Sequence, residues 1–293
     1  VGPVRVSVAS ILDQKDMTVR AAEIASDVKL RVRDYSFGRE GAPERWWLNG
    51  DPVASAIFDG LSATFPHGER FFMDALRPYR DEAPDGLRAQ IGAFIKQEAM
   101  HTREHVAFNR HVAAHGRNLQ AMDARSKAVV DKARAGTPEA QLAATAALEH
   151  CTAILSHVLL ANPGYLEGGD PEVSRLWRWH ALEEIEHKAV AFDALAHVVR
   201  ERPAWRRWLL RTRSMREMSA LFSGPTLGNI LQILREDDLS ELRIRWGVLR
   251  YMLIYPGLLW KVIPLYLTYY LPRFHPWQLD DRDLLAKTEH ELG

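Results

Sequence analysis

The sequence predicts an all-α protein built on a bundle of four long helices, and three observations carry that expectation. Apolar residues recur at helical spacing, while no clean period-two run with hairpin turn chemistry appears. Capping and stop residues such as Asp51-Pro52, His115-Gly116 and Asp170-Pro171 punctuate the pattern. Two Glu-x-x-His pairs, Glu98/His101 and Glu184/His187, fall on separate helical stretches, each preceded by a stretch that offers a lone Glu.

Residues 1–45 mix short apolar runs (Val6 to Leu12) with charge and contain Gly38 and Gly41, which suggests an irregular arm wrapped around the outside. The first long helix opens at Asp51-Pro52, a capping acid followed by proline at the first helical position. It is expected to run through Ile57, Leu61, Phe65, Phe72 and Leu76 towards Tyr79, kinked at Pro66. The second opens at Pro84-Asp85, carries Ile91, Phe94, Glu98, His101 and His105, and stops at Gly116. Residues 117–135 read as a short connecting helix or loop. The third starts at Gly136-Thr137-Pro138, carries Leu142, Glu149 and His157, and ends at Asn162-Pro163-Gly164. The fourth starts at Asp170-Pro171 and runs through Leu176, His180, Glu184, His187 and Phe192 to about Arg200. Glu69 lies 29 positions before Glu98 and Glu149 lies 35 before Glu184, which fits two antiparallel helix pairs.

Beyond Pro203 the character changes. Residues 200–216 hold seven arginines against one acid, with Trp205, Trp208, Leu209 and Leu210 among them. Ser223-Gly224-Pro225 reads as a linker to a further helical pair, and an aromatic, apolar stretch follows from Trp246 to Leu271. Arg250 and Lys261 cut that stretch into runs too short for a transmembrane helix, so a helical cap over the bundle is expected. The expected organisation is an N-terminal arm (1–45), a metal-binding bundle (46–202) and a C-terminal helical cap (203–293).

Lysines and arginines equal acids at 38 each, so the overall charge gives no reason to expect a nucleic-acid partner. Cys151 is the only cysteine, which excludes an internal disulfide framework and a thiolate-rich metal site. His and carboxylate remain as ligands, a set suited to iron, manganese or zinc. The N-terminus shows no charged segment followed by an apolar one, so a cytoplasmic location is the default expectation. The Arg/Trp-rich region 200–216 adds peripheral membrane contact as an alternative to a solvated helix face.

A helix advances about 100° per residue, so His180, Glu184 and His187 share a face roughly 60° wide. Glu98, His101 and His105 do the same on the earlier helix. With Glu69 and Glu149 supplying the lone carboxylates, the order Glu, Glu-x-x-His, Glu, Glu-x-x-His is the ligand pattern of a carboxylate-bridged dinuclear iron or manganese bundle. The candidate ligands are Glu69, Glu98, His101, Glu149, His180, Glu184 and His187; His105 fits either a ligand or a group behind one. Glu183 and Glu186 point about 100° and 160° away from Glu184 and are expected to face solvent or a neighbouring helix, as is Glu104. His150 and His157 read as structural, Cys151 as a small buried hydrophobe, and Asp193 as reaching a ligand only if its helix bends.

Pro66-His67-Gly68-Glu69-Arg70-Phe71-Phe72, Gln97-Glu98-Ala99-Met100-His101 with His105, Leu148-Glu149-His150 and Trp179 to Lys188 together resemble the bacterial family described as predicted metal-dependent hydrolases. Phe274-His275-Pro276-Trp277 resembles the end of that family, so the likeness extends from about Trp46 to Trp277. The same ligand order is similar to that of ferritin-like di-iron oxygenases. His180-x-x-x-Glu184-x-x-His187 resembles the p-aminobenzoate N-oxygenase group, which implies an extra imidazole on one iron. The rest of the chain does not resemble an N-oxygenase, so no amine substrate is carried over.

The leading functional expectation is an O₂-activating di-iron oxidoreductase acting on a small apolar or aromatic substrate, with two metal ions bridged by Glu98 and Glu184 and an external electron donor. Iron is the expected metal, with manganese and zinc as alternatives. The competing expectations are a metal-dependent hydrolase using a dinuclear centre to activate water, and a non-catalytic ferritin-like metal protein. Exposed bundle faces also suggest a homodimer.

Overall fold

The computed structural model describes residues 24–25, 28–38 and 41–293, and these are helical throughout apart from loops and one isolated antiparallel bridge between Leu48 and Gly169. Of the arm expected at 1–45, residues 1–23, 26–27 and 39–40 lie outside the described residues. Residues 28–37 are irregular, and their backbone follows the bundle: the Arg31, Arg33 and Phe37 amides donate to Glu186, Glu183 and Glu104.

Helix α1 (Pro52–Ser62) is capped by Asp51, whose carboxylate accepts from the Val53 and Ala54 amides. The chain then breaks at Ala63-Thr64 and restarts as α2 (Phe65–Leu76). The expected kink is therefore a full interruption. Pro66 takes a position in the first turn of a new helix, where its missing N–H costs nothing. Helix α3 (Asp85–Ala114) is followed by Gly116 at φ +82°, a left-handed residue that ends it. The segment read as helix or loop is a complete helix, α4 (Leu119–Arg134), capped by Asn118. Helices α5 (Pro138–Ala161) and α6 (Pro171–His187) open on Thr137 and Asp170, which accept from amides of their first turns.

The fourth helix does not continue to Arg200. It breaks immediately after His187 and restarts as α7 (Val190–Val198). Lys188, at the break, turns its ammonium to the Leu279 carbonyl (2.7 Å), the Asp281 carboxylate (2.6 Å) and the Trp277 ring (4.0 Å). A buried ammonium needs such partners, and here they come from the C-terminal segment.

Ser223-Gly224-Pro225 is no linker. Helix α8 (Ala204–Glu236) runs straight through it. Thr226 Oγ1 bonds the Phe222 carbonyl beside the proline. Packing outweighs the local penalty: Ile230 presses on Gly60 so closely that a Cβ there would lie 2.7 Å from Ile230 Cγ1, and Asn229 donates to the Gly60 carbonyl. The remaining helices are α9 (Glu241–Leu253), α10 (Leu258–Thr268) and α11 (Arg282–Leu292).

Helix α2 packs on α3 and α5 on α6; α2 also meets α5, and α3 meets α6, which closes a four-sided bundle. Helix α5 is long and apolar enough to cross a membrane, but 72 % of its apolar window is buried, so that apolarity serves the core. The small side chains of Ala143, Ala144, Ala146 and Ala147 let its neighbours approach. Helices α9 and α10 pack on α1 and α5, as a cap would, yet their outer sides carry Trp246, Leu249, Ile254 and Trp260 exposed to solvent.

Arg117 pins the ends of these layers. Its guanidinium bonds Asp59 of α1 (2.8 Å) and Asp237 after α8 (3.0 Å), and all three side chains are buried. Burial pushes the Asp59 carboxyl up to about 7 against the pull of Arg117 and the Trp47 N–H. Replacing Arg117 by Met would leave two buried carboxylates without their cation, which should cost about 3–5 kcal/mol. Arg45→Met, at the half-exposed edge of Asp237, should cost under about 1 kcal/mol. Urea midpoints of the two variants check the contrast.

Candidate metal centre

Helices α2, α3, α5 and α6 each turn acid or imidazole side chains into the middle of the bundle. Glu69, Glu98, His101, Glu149, His180, Glu184 and His187 are all buried there. Glu98, Glu149 and His187 bring one donor atom each within 4.8 Å of one another; so do Glu69, Glu98 and His101, and again His101, His180 and Glu184. Glu98 belongs to two of these sets. Glu184 Oε1 reaches across them, lying 3.5 Å from both His101 Nδ1 and His187 Nε2 and 3.3 Å from His180 Nε2.

Hydrogen-bond direction decides what each imidazole presents to the centre. Gln97 uses its Nε2 to donate to Glu186 and to the Arg31 carbonyl, so its Oε1 must accept from His187 Nδ1 (3.1 Å). The lone pair of His187 Nε2 is therefore aimed inward, 3.3 Å from both Glu98 Oε1 and Glu149 Oε2. His101 Nε2 meets Glu183 Oε2 at 3.1 Å, which leaves Nδ1 facing Glu98 and Glu184. The third chain starts further out. Asn109 donates from Nδ2 to the Ser62 carbonyl, so its Oδ1 accepts the Ser62 hydroxyl (2.7 Å). Ser62 Oγ then accepts from His105 Nδ1 (2.8 Å), His105 Nε2 accepts from His180 Nδ1 (2.9 Å), and His180 Nε2 is left with its lone pair facing Glu184.

With the imidazoles neutral, three inward lone pairs thus face four carboxylates, and Thr102 Oγ1 donates to Glu69 Oε2 (2.8 Å). Glu69 Oε1, both oxygens of Glu98 and of Glu149, Glu184 Oε2, His101 Nδ1 and His187 Nε2 are buried without a hydrogen-bond partner. Isolated, such groups are costly; around cations they form a ligand shell whose outer nitrogens are already held, the usual arrangement behind metal-bound histidines. The residues present fit a metal centre. Without a cation the cluster must hold protons instead. Burial and the neighbouring carboxylates Glu184 and Glu149 push Glu98 well up; burial with Glu184 and Glu69 does the same to Glu149, and burial takes Glu69 to about 8. Burial would lower His101, but the hydrogen bond to Glu183 and the Glu184 carboxylate 3.5 Å from Nδ1 prevail and raise it to about 10. Burial and the charge on His101 keep His180 and His105 neutral, with His105 brought down to about 3.

His105 has both ring nitrogens engaged, with Ser62 and His180, and it also brings a ring nitrogen within 4.8 Å of donor atoms of Glu69 and His180, so both roles expected of it stay open. Glu183 and Glu186 do not face solvent. Both are buried; Glu183 holds His101, Glu186 holds Gln97, and the Arg33 guanidinium bonds the pair at 3.3 and 2.8 Å. The offsets of about 100° and 160° that turn them from the centre turn them towards α3 and the N-terminal segment. Glu104 is likewise buried against Phe37 and Arg103. Asp193 bonds His275 (3.1 Å) and reaches no ligand despite the helix break. His150 lies between Tyr269 and Phe274 with Nε2 on the Leu265 carbonyl, and His157 bonds Asp281. Cys151 Sγ lies 3.8 Å from Met215 Sδ, and burial raises its thiol to about 12. Gln97, Glu183 and Glu186 each sit one residue before a candidate ligand, a signal the sequence held; Ser62, Asn109 and Arg33 carry no local mark.

The Trp179 ring lies 4.9 Å from His101 on one side and Phe94 lies 4.7 Å from His187 on the other. Beside His180, stacked on Phe65 at 4.8 Å, opens a cleft of about 590 Å³ including its mouth, lined by Leu61, Leu155, Leu159 and Trp177 among others.

Glu184→Ala and His187→Ala should both lose bound metal, measured by elemental analysis after purification; two retained equivalents in either would disprove the assignment. Glu183→Gln should weaken metal affinity by roughly 10–100-fold. The folded, metal-free protein keeps the Glu69 proton up to about pH 8, whereas the unfolded chain releases it near 4.5. Metal-free stability should therefore fall as pH rises from about 6.5 through about 8, above the range in which the lowered His105 and His180 act in the opposite direction. Metal affinity should rise over the same interval, with protons released on binding. Thermal melts with and without metal across that range check both signs.

The family model described as "predicted metal-dependent hydrolase" matches residues 31–280, a span that contains every residue of the centre. No curated protein and no solved structure matches the chain. With most of its length covered by that model, the chain belongs to the predicted metal-dependent hydrolase family.

Proposed function

We propose that the protein is a dinuclear metal-dependent hydrolase acting on an apolar substrate. The observation that carries this reading is the set of inward lone pairs facing four carboxylates, a charge balance that two divalent cations would satisfy. The family description supports hydrolysis rather than the oxidative chemistry that the ligand order suggests on its own. Glu98, Glu149 and His187 would hold one ion, Glu69, His101 and His180 the other, with Glu98 and Glu184 placed between them. Bound there, the ions supply Lewis acidity and lower the pKa of water.

The chain's own groups do the rest. Phe65, Leu61, Leu155 and Leu159 take the apolar part of the substrate in the cleft and bring its reactive end against His180. Trp179 and Phe94 close the rear of the centre to water. Arg33 holds Glu183 and Glu186 in place, and these fix the rings of His101 and, through Gln97, His187.

One observation favours a second reading. Four Glu and three His on four helices is also the donor set of carboxylate-rich di-iron proteins that react with O₂, and the cleft beside it is lined mostly by apolar side chains. The two readings part in one experiment. The metal-free protein is loaded separately with Zn²⁺, Mn²⁺ or Fe²⁺ under anaerobic conditions and offered aliphatic esters; O₂ is then admitted while the near-UV and visible spectrum is recorded. Metal-dependent hydrolysis without O₂ is expected. Absence of hydrolysis with any metal, together with O₂ uptake and an absorbance change in the iron form, would overturn the proposal in favour of oxidation.

A further inference from the structure

The cleft beside His180 has a wall of a different kind from its core. Tyr251 of α9 and Leu258 of α10 line it, and the helices that carry them turn an apolar stripe outwards. On α9 the exposed residues Leu242, Trp246, Leu249 and Leu253 fall within about 60° of one another, and on α10 so do Trp260, Ile263 and Leu267. Ile254 and Tyr255, at 61 % and 68 % exposure, and Trp260, at 67 %, cluster at the turn between them. Ile244, Gly247 and Tyr251 point the other way, onto the bundle, where Gly247 touches Val53.

Charge gives the stripe its partner. Residues 242–271 contain Arg243, Arg245, Arg250 and Lys261 and no acid. Arg243 and Arg250 flank the α9 stripe on one side and Arg245 on the other, each roughly 70–90° from its centre. Tryptophan and aliphatic residues edged by arginine suit the boundary between acyl chains and anionic headgroups; the one acid of α9, Glu241 at its first position, is paired with Arg235 at 2.6 Å. The helices are 13 and 11 residues long and meet at 53°. Together they are apolar and long enough for one broken span, but each alone is short of the roughly 20 residues needed to span a bilayer. Buried Ile244 and Tyr251 hold α9 by its inner side to the bundle, so the outer stripe is the face free to meet a surface. The N-terminus of α8 adjoins them: Trp208 Nε1 bonds the Tyr270 carbonyl, and Trp205 and Leu209 are exposed there.

We propose that the outer face of α9 and α10 docks on an anionic lipid surface, and that the cleft behind their turn receives the acyl part of a lipid-class substrate from it. The docking stands on the stripe and its charge; the substrate class rests on the hydrolase reading.

The test uses the full-length, metal-loaded protein in flotation with vesicles of phosphatidylcholine alone or mixed with an equal part of phosphatidylglycerol. Flotation with the anionic vesicles, reduced by salt, is expected. Ile254→Ser/Trp260→Ser should lower partitioning at least tenfold, and Arg243→Gln/Arg250→Gln by roughly 30-fold at low salt. Both variants should keep wild-type metal content and wild-type turnover of a short soluble ester. Wild-type protein that stays in the bottom fraction with both vesicles would overturn the docking, as would a concentration-dependent dimer that the Ile254/Trp260 variant abolishes without any vesicle binding. Flotation without hydrolysis of soluble or vesicle-borne esters would remove the substrate class and the hydrolase reading while leaving the docking; hydrolysis without flotation would do the reverse.

Discussion

Four glutamates share one core, and water does not reach them to spread their charge. Burial, with the charge of neighbouring carboxylates added to it, drives Glu69, Glu98 and Glu149 to hold protons far above the pH at which an ordinary carboxyl releases them. The surroundings are arranged for a different solution. Each of His101, His180 and His187 has its outer nitrogen fixed by an acceptor, so each, when neutral, turns its lone pair to the centre. Those acceptors are themselves held: Glu183 by Arg33, Gln97 by Glu186, His105 by Ser62. The demand for positive charge thus reaches outward until it meets a residue that water or a permanent cation can satisfy.

The long helices were legible because their starts are local chemistry. Asp51, Thr137 and Asp170 cap first turns with their own side chains and each is followed by proline, whereas Asn118 caps α4 without one, in a segment the sequence left between helix and loop. The ligands were legible because Glu-x-x-His pairs place two donors on one face. Breaks and continuations were harder. A proline at 225 reads as an end, yet α8 continues, held by Ile230 against Gly60 and Asn229 against the Gly60 carbonyl, partners 169 and more positions away. The stop after His187 coincides with Lys188 turning to Asp281, 93 positions on.

Glu183 shows why the outer shell escaped. On a single helix a residue 100° from a ligand appears to face elsewhere, and for a surface helix elsewhere is solvent. In a closed bundle it is the next helix. Glu183 meets His101 across α3 and α6, and Arg33 arrives from a segment with no periodicity at all. The family match spans both Arg33 and the centre, which is consistent with the N-terminal segment being a working part of the site.

Helix α1 supplies no candidate ligand, yet it touches two things at once. Ile57, Phe58 and Leu61 line the cleft, and the next residue, Ser62, sets through His105 which nitrogen His180 turns to the centre. An occupant of the cleft that shifts α1 must change the donor strength of His180. Linkage makes such an effect mutual: whatever factor the occupant applies to metal affinity, the metals apply to the occupant.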